Sequence, residues 1–175
     1  GDCHIIQHPT GHTTVIDVCN ASATEERSVA EATEYSAKSL GVAGNFNQKA
    51  NPTNPIDYLR SKDVYSIFRY VQSHPDMDHM DGIKDTFEQF SPAKFWDTNN
   101  TKELDGDFGK YSEDDWNFYK ALRAGSDSDP KRLTLYDGAK SPHFNQDENG
   151  AGGGDGLHIL APTKELVALA NDTEN

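Results

Sequence analysis

Ser73-His74-Pro75-Asp76-Met77-Asp78-His79-Met80-Asp81-Gly82 is the stretch on which the reading of this chain turns. Two imidazoles and two carboxylates fall within the six residues from His74 to His79. Upstream, residues 64–72 (Val-Tyr-Ser-Ile-Phe-Arg-Tyr-Val-Gln) are rich in β-formers and predict a strand that delivers the chain to His74. Downstream, Ile83, Phe87 and Phe90 recur at i, i+4 and i+7, the apolar stripe of a helix. Four ligand-competent groups at a strand-to-helix turn suit a metal site. Neutral imidazole favours zinc and other borderline ions, whereas carboxylates favour harder ions such as manganese and magnesium. On an extended segment alternate residues point the same way, so His74, Asp76 and Asp78 are expected to share a face, with His79 aimed at a neighbouring point. That arrangement serves two adjacent ions, His74 and Asp76 on one and Asp78 and His79 on the other. Two metals about 3.5–4 Å apart can generate a hydroxide and stabilise a leaving oxygen.

Outward from the motif, strands and helices alternate. Residues 3–8 and 13–19 predict two strands joined at Pro9-Thr10-Gly11. Residues 27–40 suit a helix, and residues 41–55 form a Gly/Asn/Pro-rich loop. Residues 55–60 suit a short helix with Asn54 as its cap and Pro55 at its first position. Lys94-Phe95-Trp96-Asp97 predicts a short strand. Residues 112–123 predict a helix capped by Ser112, with Glu113, Asp114 and Asp115 at its positive end. Strands are expected at 133–136 and 157–160, a closing helix from Pro162 to Ala170, and a mobile Gly-rich loop over 138–156. The order is that of an α/β protein.

The 175 residues suit one domain. At 34% hydrophobic they are on the polar side of the globular range. Sixteen basic against 29 acidic residues leave a formal net charge of −13. Such a surface repels nucleic acid and anionic membrane at long range and argues against a broad nucleic-acid groove. Bound divalent ions can reverse the sign locally, so a phosphodiester or other small-molecule substrate stays compatible. No apolar run approaches a membrane span, and no charged-then-apolar leader opens the chain. The cytoplasm is the expected compartment, with secretion left open by a natural start that can lie upstream of Gly1. Cys3 and Cys19 fall nearly opposite each other in the expected hairpin, where a disulfide is geometrically allowed; reduced thiols suit a cytosolic protein better. No CxxC pair supports a zinc knuckle.

His74-Pro75-Asp76-Met77-Asp78-His79, followed by Asp81-Gly82, resembles the metal motif of the metallo-β-lactamase fold superfamily. That motif usually reads His-x-His-x-Asp-His, and here Asp76 stands at the middle histidine. The His-Pro-Asp-x-Asp-His form is similar to the subgroup around the soluble domain of the bacterial competence protein ComEC. Gly1-Asp2, the Pro-Thr-Gly turn, Val15-Ile16-Asp17, Phe95-Trp96-Asp97-Thr98 and Leu157-His158-Ile159-Leu160-Ala161-Pro162 also look like this subgroup. The resemblance implies a metallo-β-lactamase-like αββα sandwich with the metals at one edge between the sheets. It implies that residues 1–175 are a single domain holding the N-terminal half of that fold, clipped at both ends. It implies a metal-dependent hydrolase using a metal-activated hydroxide, with a phosphodiester as the favoured substrate. The metal ligands would be His74, Asp76, Asp78 and His79, and the cofactor a pair of divalent ions, zinc by preference and manganese as the other fit.

Several residues carry more than one reading. Asp78, besides ligating, is a candidate catalytic base that orients the attacking hydroxide. Asp17 either supports the metal ligands from behind or simply ends a strand. Asp97 either lines a substrate cleft or starts a turn. Asp81 is read as a helix N-terminal carboxylate. His143 is read as a solvated loop residue, His4 and His158 as strand residues, and His8 and His12 as a chance surface pair. The alternative to the hydrolase is a non-catalytic metal-binding or regulatory module that keeps a degenerate hydrolase fold. A third expectation is a homo-oligomer or other assembly, because a half-sandwich leaves an apolar sheet face to be covered.

Overall fold

The structure, a computed structural model, describes residues 1–22, 53–104, 106–125, 130–146 and 152–173. The helix expected at 27–40 and residues 41–52 of the loop after it lie outside the described residues. Strands β1 (His4–Gln7) and β2 (Thr13–Ile16) form an antiparallel hairpin in which Ile5 pairs with Val15. Strands β3 (Arg69–Val71), β4 (Lys94–Asp97) and β5 (Lys131–Thr134) add in parallel, so that the sheet reads β1-β2-β3-β4-β5. Helices α1 (Pro55–Ser61), α2 (Ile83–Phe90), α3 (Glu113–Ala124) and α4 (Lys164–Thr173) complete an α/β architecture around a mixed sheet.

One face of the sheet makes the core. Alternation puts Val15, Tyr70 and Phe95 of the three central strands side by side. They cluster with Ile83, Phe87 and Phe90 of α2, Trp116, Tyr119 and Leu122 of α3, and Ile56 and Leu59 of α1. Tyr70 meets Phe87 edge-on at 5.2 Å, a favoured aromatic geometry. The opposite face carries Arg69 and Trp96, and Phe144 packs edge-on to Trp96 at 5.2 Å. Here a groove of about 470 Å³ remains, lined by Val71, Trp96, Leu135, Ile159, Leu166 and Val167. Among the described residues no helix is long and apolar enough to cross a membrane.

Locally encoded elements form where the sequence puts them. Asn54 accepts from the Ile56 N–H to start α1, and Ser112 accepts from the Asp114 N–H to start α3. Four expectations need correction. The strand expected over 64–72 is confined to Arg69–Val71, because Val64 and Ile67 donate instead to Leu59 and Phe90 carbonyls and pack in the core. The strand expected at 133–136 lies two residues earlier, at Lys131–Thr134. Residues 157–160 are no strand: Leu157 donates to Phe144, and Ile159 accepts from Gly138, so their bonds go to loops rather than a ladder. The described part of the Gly-rich stretch is pinned, since Gly154 packs so tightly that a Cβ would lie 2.6 Å from the Phe144 nitrogen.

Asp155, next along, is the anchor. Its carboxylate pairs with buried Arg69 at 2.6 Å and with His12 at 2.9 Å, while Thr10 donates to it as well. Its carbonyl lies 2.9 Å from His8 Nδ1, and His8 Nε2 lies 2.8 Å from Thr14 Oγ1. His8 is therefore buried, and His12 stacks on Phe68 at 3.7 Å, so the two are not a chance surface pair.

Candidate metal centre

The motif sits beyond the carboxyl ends of β2 and β3, the edge where parallel sheets place ligand sites. Beyond β2 the backbone continues beside the motif: Val18 donates to the His79 carbonyl at 3.0 Å, and Ala21 donates to Asp81 at 3.1 Å. That close approach explains Gly82, whose φ is 87° and whose Cβ, if present, would lie 1.5 Å from the Ala21 oxygen. Asp81 does not cap α2. Its carboxylate accepts from the Asn20 N–H at 3.0 Å. The start of α2 is capped instead by Asp115 of α3, which accepts from the N–H groups of Gly82 at 2.9 Å and Lys84 at 3.1 Å. Burial raises the Asp115 pKa, against those two donors.

The motif is not extended throughout. Asp76 is the last β-like residue, and Met77–His79 form one turn of 3₁₀ helix in which His79 donates to the Asp76 carbonyl at 2.9 Å. A 3₁₀ turn rotates each residue by a third of a circle, so the strict alternation expected of an extended segment ends at Asp76. His74, Asp76 and Asp78 are similarly exposed, at 44%, 45% and 43%, and His79 is more enclosed at 21%.

The side chains meet in two pairs. His74 Nε2 lies 3.5 Å from Asp76 Oδ2, and His79 Nε2 lies 3.7 Å from Asp78 Oδ2. The two imidazole rings are 4.0 Å apart. Asp76 Oδ1 also meets Lys102 Nζ at 2.7 Å, and Asp78 Oδ2 meets the Gly1 amine at 3.3 Å. Burial alone would raise the Asp78 pKa, but the Gly1 amine, together with His79 in its protonated form, outweighs it and lowers it. Lys102 is held in place by its own loop, since Arg123 Nη1 of α3 donates to the carbonyls of Asn100 at 3.2 Å and Lys102 at 2.9 Å.

Asp17 lies behind the pairs. It is buried, at φ 55°, just past the end of β2. Oδ1 accepts from the Ser73 N–H at 2.8 Å and Gln72 Nε2 at 3.3 Å. Oδ2 accepts from Ser73 Oγ at 2.5 Å and His79 Nδ1 at 2.9 Å. Because a carboxylate only accepts, His79 carries a proton on Nδ1, and in the neutral ring Nε2 keeps its lone pair. Asp17, His74 and His79 each offer an atom within 4.8 Å of the others, as a metal triad would. Asp17, however, has about four lone-pair sites and four protein donors on them. Asp76 and Asp78 stand outside that triad, each beside one imidazole, so the four motif donors meet as two pairs and not as one group; a nitrogen and oxygen donor set of this kind suits zinc or manganese.

Asp97 is bound by β5 and not by the motif pairs. Arg132 holds its carboxylate through Nε at 3.0 Å and Nη2 at 2.8 Å, although the residue also borders the groove described above. His143 is exposed in its loop as expected, whereas His158, expected in a strand, is exposed in a segment that forms none. Cys3 and Cys19 are free thiols, and burial pushes Cys3 up to about 12. Ser73, Gln72 and Lys102 are the site residues that the motif alone does not single out. The signal for Ser73 was its hydroxyl beside His74 at the strand end. Comparison with known proteins adds no relative: no family model, no curated protein and no solved structure matches the chain.

Proposed function

We propose that this chain carries the metal centre of a metal-dependent hydrolase with a metallo-β-lactamase-like fold, with phosphodiesters as the favoured substrate class. One observation carries the reading. His79, its Nδ1–H committed to Asp17, presents the bare Nε2 lone pair to the Asp78 carboxylate 3.7 Å away, beside the similar pair of His74 and Asp76 at 3.5 Å. Those spacings are too long for good hydrogen bonds, and a neutral imidazole lone pair facing a carboxylate is relieved by a cation between them, whether a proton on the ring or a metal ion. Asp17, filled with donors, acts by orienting His79. A bound divalent ion lowers the pKa of water to about 7 and so supplies hydroxide at neutral pH. Asp78, half exposed, is placed to ligate or to orient the attacking water. Lys102 adds positive charge at the rim, which favours an anionic substrate. The apolar groove borders Ser73 and gives room for an organic substituent.

The second reading is a non-catalytic metal-binding module. It is favoured by the cation already seated on one of the motif carboxylates, Lys102 on Asp76. Loading with zinc or manganese, elemental analysis and assay on aryl phosphodiesters, nucleic acid, cyclic nucleotides, esters and lactams separates the two. The hydrolase retains metal and turns over, and loses both in His79→Ala. Retention without turnover on any substrate establishes the module. No retention, or retention unchanged in both His74→Ala and His79→Ala, overturns both readings.

A further inference from the structure

We propose that Ser73 is a positioning residue: its hydroxyl links Asp17 to His74 and holds His74 in the tautomer whose Nε2 is bare. The inference rests on the metal-centre reading and extends it from one imidazole to both. The direction of each bond follows from the groups present. Ser73 Oγ lies 2.5 Å from Asp17 Oδ2, and a carboxylate only accepts, so the one hydroxyl proton points at Asp17. The Ser73 lone pairs are then what His74 Nδ1 meets at 2.8 Å, and His74 must supply the proton. With Nδ1 protonated, Nε2 keeps its lone pair, and that atom faces Asp76. A half-exposed ring with no such partner would sample both tautomers and several rotamers. A single buried carboxylate thus orients two imidazoles, His79 directly and His74 through one hydroxyl. The arrangement needs the sharp backbone at Asp17, which lets one carboxylate take the Ser73 N–H, the Ser73 O–H and the His79 N–H together.

Nitrogen-15 NMR of the imidazoles in metal-free protein at mildly alkaline pH reads the tautomers. Wild-type His74 is expected as the Nδ1–H form. Ser73→Ala is expected to release it into a mixture of tautomers, and Ser73→Thr, which keeps the hydroxyl, to restore it. His79 stays Nδ1–H throughout, which also reports that the site is still folded. Zinc affinity, read by competition with a chromophoric chelator, is expected to fall about 10–100-fold in Ser73→Ala. In a His74→Ala background the same substitution is expected to cost less than about twofold, since a residue acting through a partner has nothing left to act on. A wild-type His74 carrying its proton on Nε2, a tautomer unmoved by Ser73→Ala, or an equal affinity loss in both backgrounds overturns the proposal. If added zinc moves neither Nε2 resonance, the metal-centre reading falls, and the tautomer comparison still decides the role of Ser73.

Discussion

Asp17→Asn is the sharpest probe of the centre, because it separates the fold from the site. Asn has the shape of Asp and tolerates a left-handed backbone such as the φ of 55° at this position. An amide, however, offers one acceptor oxygen and one donor nitrogen. The backbone N–H of Ser73 cannot turn round, and Gln72 Nε2 is already committed to the carbonyls of His74 and His79, so the amide oxygen belongs where Oδ1 was. The NH₂ then replaces Oδ2. There Ser73 can rotate its hydroxyl to accept, and His79 can accept at Nδ1 by moving its proton to Nε2. The fold keeps its bonds and loses charge assistance in them, about 1–2 kcal/mol. Metal binding suffers separately. To ligate through Nε2, His79 must return its proton to Nδ1 and face the amide NH₂, at about 1–3 kcal/mol, or roughly 10–100-fold in affinity. Asp17→Ala strips all four bonds and adds backbone strain, and is expected to destabilise by about 3–5 kcal/mol. Urea unfolding followed by the fluorescence of buried Trp96 and Trp116, with zinc competition in parallel, measures both quantities. An Asn variant that binds zinc like wild type, or unfolds as early as the Ala variant, refutes this account of Asp17.

The acid sensitivity of the fold is expected to centre on Asp155. Burial by itself would raise its pKa, but hydrogen bonds from Thr10, Arg69 and His12 outweigh it and hold the carboxyl at about 2. A folded pKa below the unfolded value means the stabilisation is complete above about pH 4 and fades as pH falls towards 2, a loss of about 2 kcal/mol. Urea midpoints measured across that window should fall in wild type and stay flatter in Asp155→Asn, and identical slopes would contradict the assignment. Gly82→Ala puts a Cβ on the Ala21 carbonyl and should cost more than about 3 kcal/mol, strain and clash together. An unchanged urea midpoint there would mean that the segment after β2 does not run against the motif as described. Lys102→Met removes the ammonium from Asp76 and should tighten divalent-ion uptake about tenfold by calorimetry, as expected when a competing charge is lost. Unchanged uptake would show that Lys102 and the ion do not compete.

What the sequence made legible, and what it did not, divides along the range of each interaction. The starts of α1 and α3 could be read because Asn54 and Ser112 bond two residues ahead. The four candidate donors of the motif could be picked out because six consecutive positions hold them all, but of these only His74 and His79 join the triad with Asp17. The start of α2 could not be read, since its cap is Asp115, 31 and 33 positions away from the groups it holds, and nearby Asp81 looked the better candidate. The directions of the donors were equally hidden. An extended segment and a 3₁₀ turn both accommodate Asp76-Met77-Asp78-His79, and it is the turn that brings His79 to Asp17. The same division has a chemical consequence for the centre. Its donors are local in sequence, but what selects their protonation is not: Asp17 lies 62 positions from His79 and 56 from Ser73. A motif can therefore survive intact in a sequence while its chemistry is lost through one distant carboxylate or one hydroxyl beside it. For this chain the pair to examine is Asp17 with Ser73, because they contact Nδ1 of both imidazoles and, under the proposal, leave the two Nε2 atoms to bind.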